Sequence, residues 1–205
     1  MRDVEIPAAS LSAAEAYRLM TDLVAPRPIA WVSTVDGEGR RNLAPFSYYQ
    51  AVCSRPPMNV LATRELVVCH VHRAQAEAMN ATSAAYARGV SEWEAVGIEA
   101  APSRVVAPPR VASSHAALEC VLRHALPLGD GPQGPSSTLV LAEVVHFYVR
   151  PGLVVRDPGG RARPIDPAAL DAVGRLGGIA YTTTQLRFEL PRPALPAEGP
   201  ARRDR

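Results

Sequence analysis

Between Ser10 and Val24 apolar residues return at helical spacing: Ala16, Leu19, Met20, Leu23 and Val24. Ser10 or Ser12 can cap this helix, and Pro26 and Pro28 stop it. The pattern then changes to strands. Ile29 to Val35 is rich in β-formers and runs into Asp36-Gly37-Glu38-Gly39, a hairpin turn; the chain resumes as the apolar and aromatic stretch Asn42 to Val52. Two such runs joined by a glycine-rich turn predict an antiparallel pair. Leu66 to Val71 reads as a buried strand, and Ala74 to Met79 as a short helix. A second short helix is expected over Ser91 to Val96, with Ser91 as cap and Glu94 at the capping-box position. Ala116 to Leu126 and Thr138 to Val149 read as strands. Pro167 to Val173 reads as a helix with proline at its start.

Short strands, hairpin turns and a few peripheral helices predict a mainly β fold, an antiparallel barrel. Regular βαβ alternation is missing, which argues against a doubly wound parallel sheet. Residues 1–190 form one expected domain, and the Pro-, Ala- and Arg-rich stretch 191–205 is expected to be a disordered tail.

Composition narrows the functional classes. The chain has 205 residues, 47% hydrophobic and 20% charged, the balance of an ordinary globular domain. A net charge of +2, with basic residues scattered, is too mild for nucleic acid but suits a small anionic ligand. No apolar run is long enough to cross a bilayer, and the N-terminus has no apolar signal core, so a cytoplasmic location is expected. Cys53, Cys69 and Cys120 are odd in number and far apart, and read as free thiols.

Three patterns resemble sites without having their context. Gly129-Asp130-Gly131-Pro132-Gln133-Gly134 spells the dinucleotide fingerprint, but two prolines crowd it and a strand follows where a helix is required. It reads as a surface loop. His70 and His72 share a strand face, yet no Cys, Asp or Glu cluster completes a metal site. Ser113-Ser114 and Ser136-Ser137 lack a nucleophile elbow. No catalytic acid, base or nucleophile and no metal site is expected.

One segment offers more: Pro26-Arg27-Pro28-Ile29-Ala30-Trp31-Val32-Ser33-Thr34, a turn, then Asn42-Leu43-Ala44-Pro45-Phe46-Ser47-Tyr48-Tyr49. Arg27 is a fixed positive charge between two prolines, and Asn42 and Ser47 carry short polar side chains. A flat ligand with a polar edge could lie against such a strand pair and be read by backbone amides. The residues alone leave a second reading open, a hairpin with edge prolines and a core phenylalanine.

The segment resembles the signature of the flavin reductase-like, FMN-binding split-barrel family, to which flavoredoxin belongs. Further matches follow in order: Met79-Asn80-Ala81-Thr82-Ser83, the stretch Gly89 to Gly97, Ala117-Leu118-Glu119-Cys120, Leu141 to Val149, and Val173-Gly174-Arg175-Leu176-Gly177-Gly178 with Tyr181. The resemblance implies a split β-barrel, a homodimer, FMN as cofactor, and hydride transfer from NAD(P)H to the flavin N5. Arg27, Pro28 and Ile29 should then line the flavin edge. Asn42, Ala44, Pro45, Phe46 and Ser47 should hold the ring system, mostly through backbone groups. Asn80, Thr82 and Ser83 should lie close to the ligand, and Arg175 and Tyr181 should approach the flavin or close the pocket. Two other functions stay open: an FMN electron carrier without its own NAD(P)H site, and a split-barrel module for another cofactor such as haem or a deazaflavin.

The chain departs from the family at one place. Arg55-Pro56-Pro57-Met58 runs directly into Asn59-Val60-Leu61-Ala62-Thr63, where the family has a further core strand and a phosphate-gripping loop. Either the segment is absent and FMN is held weakly, or residues are missing between Met58 and Asn59. Deleting a core strand would leave an open sheet edge, which favours the second explanation.

Overall fold

The computed structural model describes residues 6–7, 10–51, 53–54, 57–59, 64–87, 89–129, 134–161 and 163–191. The elements in chain order are α1 (Ala13–Leu23), β1 (Arg27–Pro28), β2 (Ala30–Val35), β3 (Arg41–Phe46), β4 (Cys53–Ser54), β5 (Pro57–Asn59) and β6 (Glu65–His70). A 3-10 turn (Arg73–Gln75) leads into α2 (Ala76–Ala81) and α3 (Glu92–Val96). Then come β7 (Ala100–Ala101), β8 (Arg110–Val111), β9 (Ala116–Leu128), β10 (Ser137–Val149), α4 (Pro167–Leu170), β11 (Val173–Arg175) and β12 (Tyr181–Thr183).

Seven strands make one antiparallel sheet in the order β3-β2-β6-β9-β10-β5-β4, and β1-β11-β12 form a second, smaller sheet. The period-2 alternation of β2 and β6 explains their near-continuous apolar runs, because both faces are buried. Trp31, Val67 and Cys69 point to one side, where Met79 of α2, Trp93 of α3 and Val111 of β8 complete a core. Ala30, Val32, Leu66 and Val68 point to the other side and meet Cys120, Ala142 and Val144.

Local chemistry sets the ends of the elements. Ser12 caps α1 through a full capping box: its Oγ accepts from the Glu15 amide at 3.3 Å, and its own amide donates to Glu15 Oε2 at 2.9 Å. Ser91 precedes α3, but its hydroxyl donates to the Arg41 carbonyl at 3.2 Å rather than capping the helix. The helix expected to reach Val173 stops at Leu170. Asp171 turns left-handed at φ 52°, and Val173 begins β11. Gly129 follows β9, and beyond Gly134 the chain enters strand β10, not the helix a dinucleotide fingerprint requires; residues 130–133 lie outside the described ones.

Met58 and Asn59 lie in β5. The two residues are neighbours in β5 and face Glu143 and Ala142 in succession. Pro57 sits at the first position of the short strand, where a missing donor is tolerated. The residues from Val60 to Thr63 lie outside the described ones, as does the expected tail beyond Pro191.

Candidate functional site

A cleft of about 650 Å³ opens between α1, the end of the β2–β3 hairpin, α2 and the β11–β12 turn. The hairpin register makes this possible: Ala30 pairs with Phe46, so Ile29 and Ser47 continue past the same end of the strand pair. Arg27, Ile29, Pro45, Phe46 and Ser47 line the cleft from this side, and Asn80 and Ser83 from α2 and the turn after it. Arg175 and Tyr181 close the opposite wall, placed there by their own pairing across β11 and β12. Tyr17 and Arg18 of α1 complete the rim. The sequence named α1 as a helix but gave no cue that it faces a site, because only the packing of the smaller sheet brings it there.

The electrostatics are one-sided. Arg18, Arg27 and Arg175 are among the lining residues, and no carboxylate is among the described residues that line it. Arg175 lies over the Tyr181 ring at 4.5 Å and donates to the Tyr181 hydroxyl and to the Gly178 carbonyl. The Tyr181 hydroxyl in turn donates to Asn80 Oδ1 at 3.1 Å, which locks the two walls together.

Arg27 is buried, and most of its donors are committed. Nη1 donates to the Thr21 and Val24 carbonyls at the C-terminal end of α1, and Nη2 to the Leu176 carbonyl at 3.0 Å. It satisfies helix-end carbonyls while its charge opposes the negative end of the helix dipole. Its buried Nε has no hydrogen-bond partner among the described residues.

Four expected site residues lie elsewhere. Asn42 pairs with Thr34 at the far end of the hairpin, four steps from Phe46 or roughly 13 Å along the strand. It lines a separate cavity of about 520 Å³, beside Glu92. Pro28 backs onto a cavity of about 150 Å³ shared with Tyr49 and His70. Thr82 is buried; its hydroxyl accepts from Trp31 Nε1 at 2.9 Å and donates to the Met79 carbonyl at 2.7 Å. Ala44 is half-buried in β3 and lines none of these cavities.

Outside the cleft, His70, His72 and His115 gather where β6, β9 and α4 meet. His72 and His115 stack with ring centres 3.9 Å apart. Arg150 can only donate, so His115 Nε2 accepts its hydrogen bond at 2.7 Å and Nδ1–H donates to the Leu170 carbonyl at 3.2 Å. Among the described residues no group of His, Cys, Asp and Glu has the geometry to hold a metal ion.

Residues 23–159 match the model of the flavin reductase-like domain. The chain belongs to the flavin reductase-like family. An uncharacterised protein of Deinococcus radiodurans is 36% identical, over 86% of this chain and 84% of its own. Nitrilotriacetate monooxygenase component B from Bacillus cereus superposes with a TM-score of 0.84 at 29% identity, covering 93% of this chain and all of that one. A structure from Shewanella frigidimarina with a split barrel domain superposes with a TM-score of 0.75 at 23% identity over 90% of this chain and 96% of its own, and shares the fold. The flavin reductase-like fold here is thus a split β-barrel, and Arg27 and Ile29 from one half of the sequence signature meet Pro45, Phe46 and Ser47 from the other in the cleft. Among the described residues no helix is long and apolar enough to cross a membrane.

Proposed function

We propose that the cleft binds FMN and that the protein is an NAD(P)H-dependent flavin reductase, acting as a cytoplasmic homodimer. The observation that carries this reading is the lining of the cleft: among the described residues, three arginines, no carboxylate, and apolar or aromatic walls from Ile29, Phe46, Met79 and Tyr181. A flat, apolar ring system with an anionic tail fits such walls better than a cationic or purely polar ligand does. The Arg27 Nε offers a buried donor with no hydrogen-bond partner among the described residues.

Bound FMN would supply the chemistry, a ring nitrogen that accepts hydride from reduced nicotinamide. The chain's own residues position and tune. Arg175, braced by Tyr181 and Gly178, stabilises negative charge gained in the cleft. Pro45 fixes its own backbone torsion beside Phe46 and Ser47, which keeps that segment from rearranging. The Tyr181–Asn80 hydrogen bond holds the cleft at one width. No side chain has to exchange a proton.

The test is anaerobic mixing of FMN-loaded protein with NADH or NADPH. Loss of the yellow flavin absorbance with either nucleotide supports the reductase. FMN that binds and stays oxidised with both would leave an electron carrier.

A further inference from the structure

One face of α1 looks into the cleft. Ala14, Tyr17, Arg18 and Thr21 line it, and steps of three, one and three along the chain put all four on the same side of the helix. Thr21 is the buried end of that face, and Arg18 is exposed at the rim.

The three arginines of the cleft are not equivalent. Arg27 spends both terminal nitrogens on the Thr21, Val24 and Leu176 carbonyls. Arg175 donates from one terminal nitrogen to the Tyr181 hydroxyl and from the other to the Gly178 carbonyl. These two guanidinium groups are fixed as parts of the wall. Arg18 differs. Its carbonyl accepts from the Thr21 hydroxyl at 2.9 Å, but among the described residues its guanidinium has no hydrogen-bond or ion-pair partner. The acids within one turn of it leave its charge open. Glu15 is held by the Ser12 amide and hydroxyl, and Asp22 forms no ion pair with Arg18.

An uncommitted guanidinium has a definite complement. Its planar fork of N–H donors matches two oxygens of a phosphate. A phosphate monoester carries roughly 1.5 to 2 negative charges near pH 7, so it is drawn to a cation whose donors are not already engaged. The apolar walls from Ile29, Phe46, Met79 and Tyr181 belong to the other elements around the cleft. A flat ring with a phosphate tail therefore fits in one direction, the ring among those walls and the tail toward α1.

We propose that Arg18 recognises the FMN phosphate and makes the cleft selective for FMN over riboflavin, the same ring system without the phosphate. The proposal rests on the flavin reading above and adds to it the direction of binding and the group that discriminates. Arg27 and Arg175 serve the wall and the ring, and Arg18 serves the tail.

The test is a fluorescence titration of the intact chain with FMN and, separately, with riboflavin. The parent should bind FMN at least tenfold more tightly than riboflavin. Arg18→Leu lies on an exposed helix position where leucine is a good helix former. It should remove that preference and leave riboflavin affinity within twofold of the parent. Arg18→Lys, which keeps the charge without the fork, should retain part of the preference. Arg175→Leu should weaken both flavins alike. A parent that binds riboflavin as tightly as FMN would overturn the proposal and leave the flavin reading standing. So would an Arg18→Leu chain that keeps the parent's preference, or one that loses both flavins equally. Binding of neither flavin by the parent would overturn the proposal together with the reading it rests on.

Discussion

Thr82 shows how a polar residue near a site serves the core instead. Its hydroxyl is both acceptor from Trp31 and donor to Met79, and all three residues are nearly inaccessible to water. Replacing it with valine keeps the shape and leaves the indole N–H unsatisfied, which costs about 1–3 kcal/mol. Urea unfolding of Thr82→Val should show that loss in the midpoint, with FMN affinity of the folded protein nearly unchanged. Cys69 makes the opposite point about reactivity. Burial pushes its thiol up to about 12, against the smaller opposing effect of the Val111 amide. Native protein treated with iodoacetamide at pH 8 should remain unmodified at Cys69, as read by peptide mass spectrometry, and become modified once unfolded. The resemblance named Thr82 together with Asn80 and Ser83, which do line the cleft. Which side of a short turn a hydroxyl points to is set by the indole that reaches it from β2, fifty-one residues away.

At the scale of elements, the junction of β6, β9 and α4 gives the protein an acid limit. His70 ends β6, and burial, followed by the charges of His115 and His72, lowers its pKa to about 4. His72 is lowered as well, again chiefly by burial. In the unfolded chain a histidine titrates near 6.5, so below that pH the unfolded state binds protons that the folded state does not. Stability from this group is intact above about pH 6.5 and falls as pH drops toward 4, by up to about 3 kcal/mol for His70. Thermal melts of the parent should therefore drop between pH 7 and pH 5, and His70→Gln should flatten that slope. An equal slope in both proteins would contradict the assignment. Strands β2 and β6 were legible in the sequence because burial on both faces writes itself into their apolar runs, and α1 was legible from its helical spacing and its Ser12 cap. The short elements were not. The end of α4 depends on a left-handed Asp171, and β5 on a proline at its first position. Neither leaves a periodic trace.

At the scale of the whole molecule, the site is made by convergence. Residues as distant in sequence as Tyr17, Ser47, Asn80 and Arg175 meet because the small β1-β11-β12 sheet pins the chain's last third against α1 and the first hairpin. It brings the two ends of the motif to one cleft and leaves Asn42, inside the motif, at another cavity. Sequence proximity groups Asn42 with Ser47, but the hairpin register sends it to the other end of the strand. It also explains why Tyr17 and Arg18 went unnoticed. The central claim is that this arginine-rimmed cleft holds FMN, and a fluorescence titration of FMN with the intact protein tests it most directly. Saturable quenching with one flavin per chain, weakened at least tenfold by Arg175→Leu, is the predicted result. Flavin fluorescence unchanged at excess protein, or quenching that Arg175→Leu leaves intact, would contradict the account.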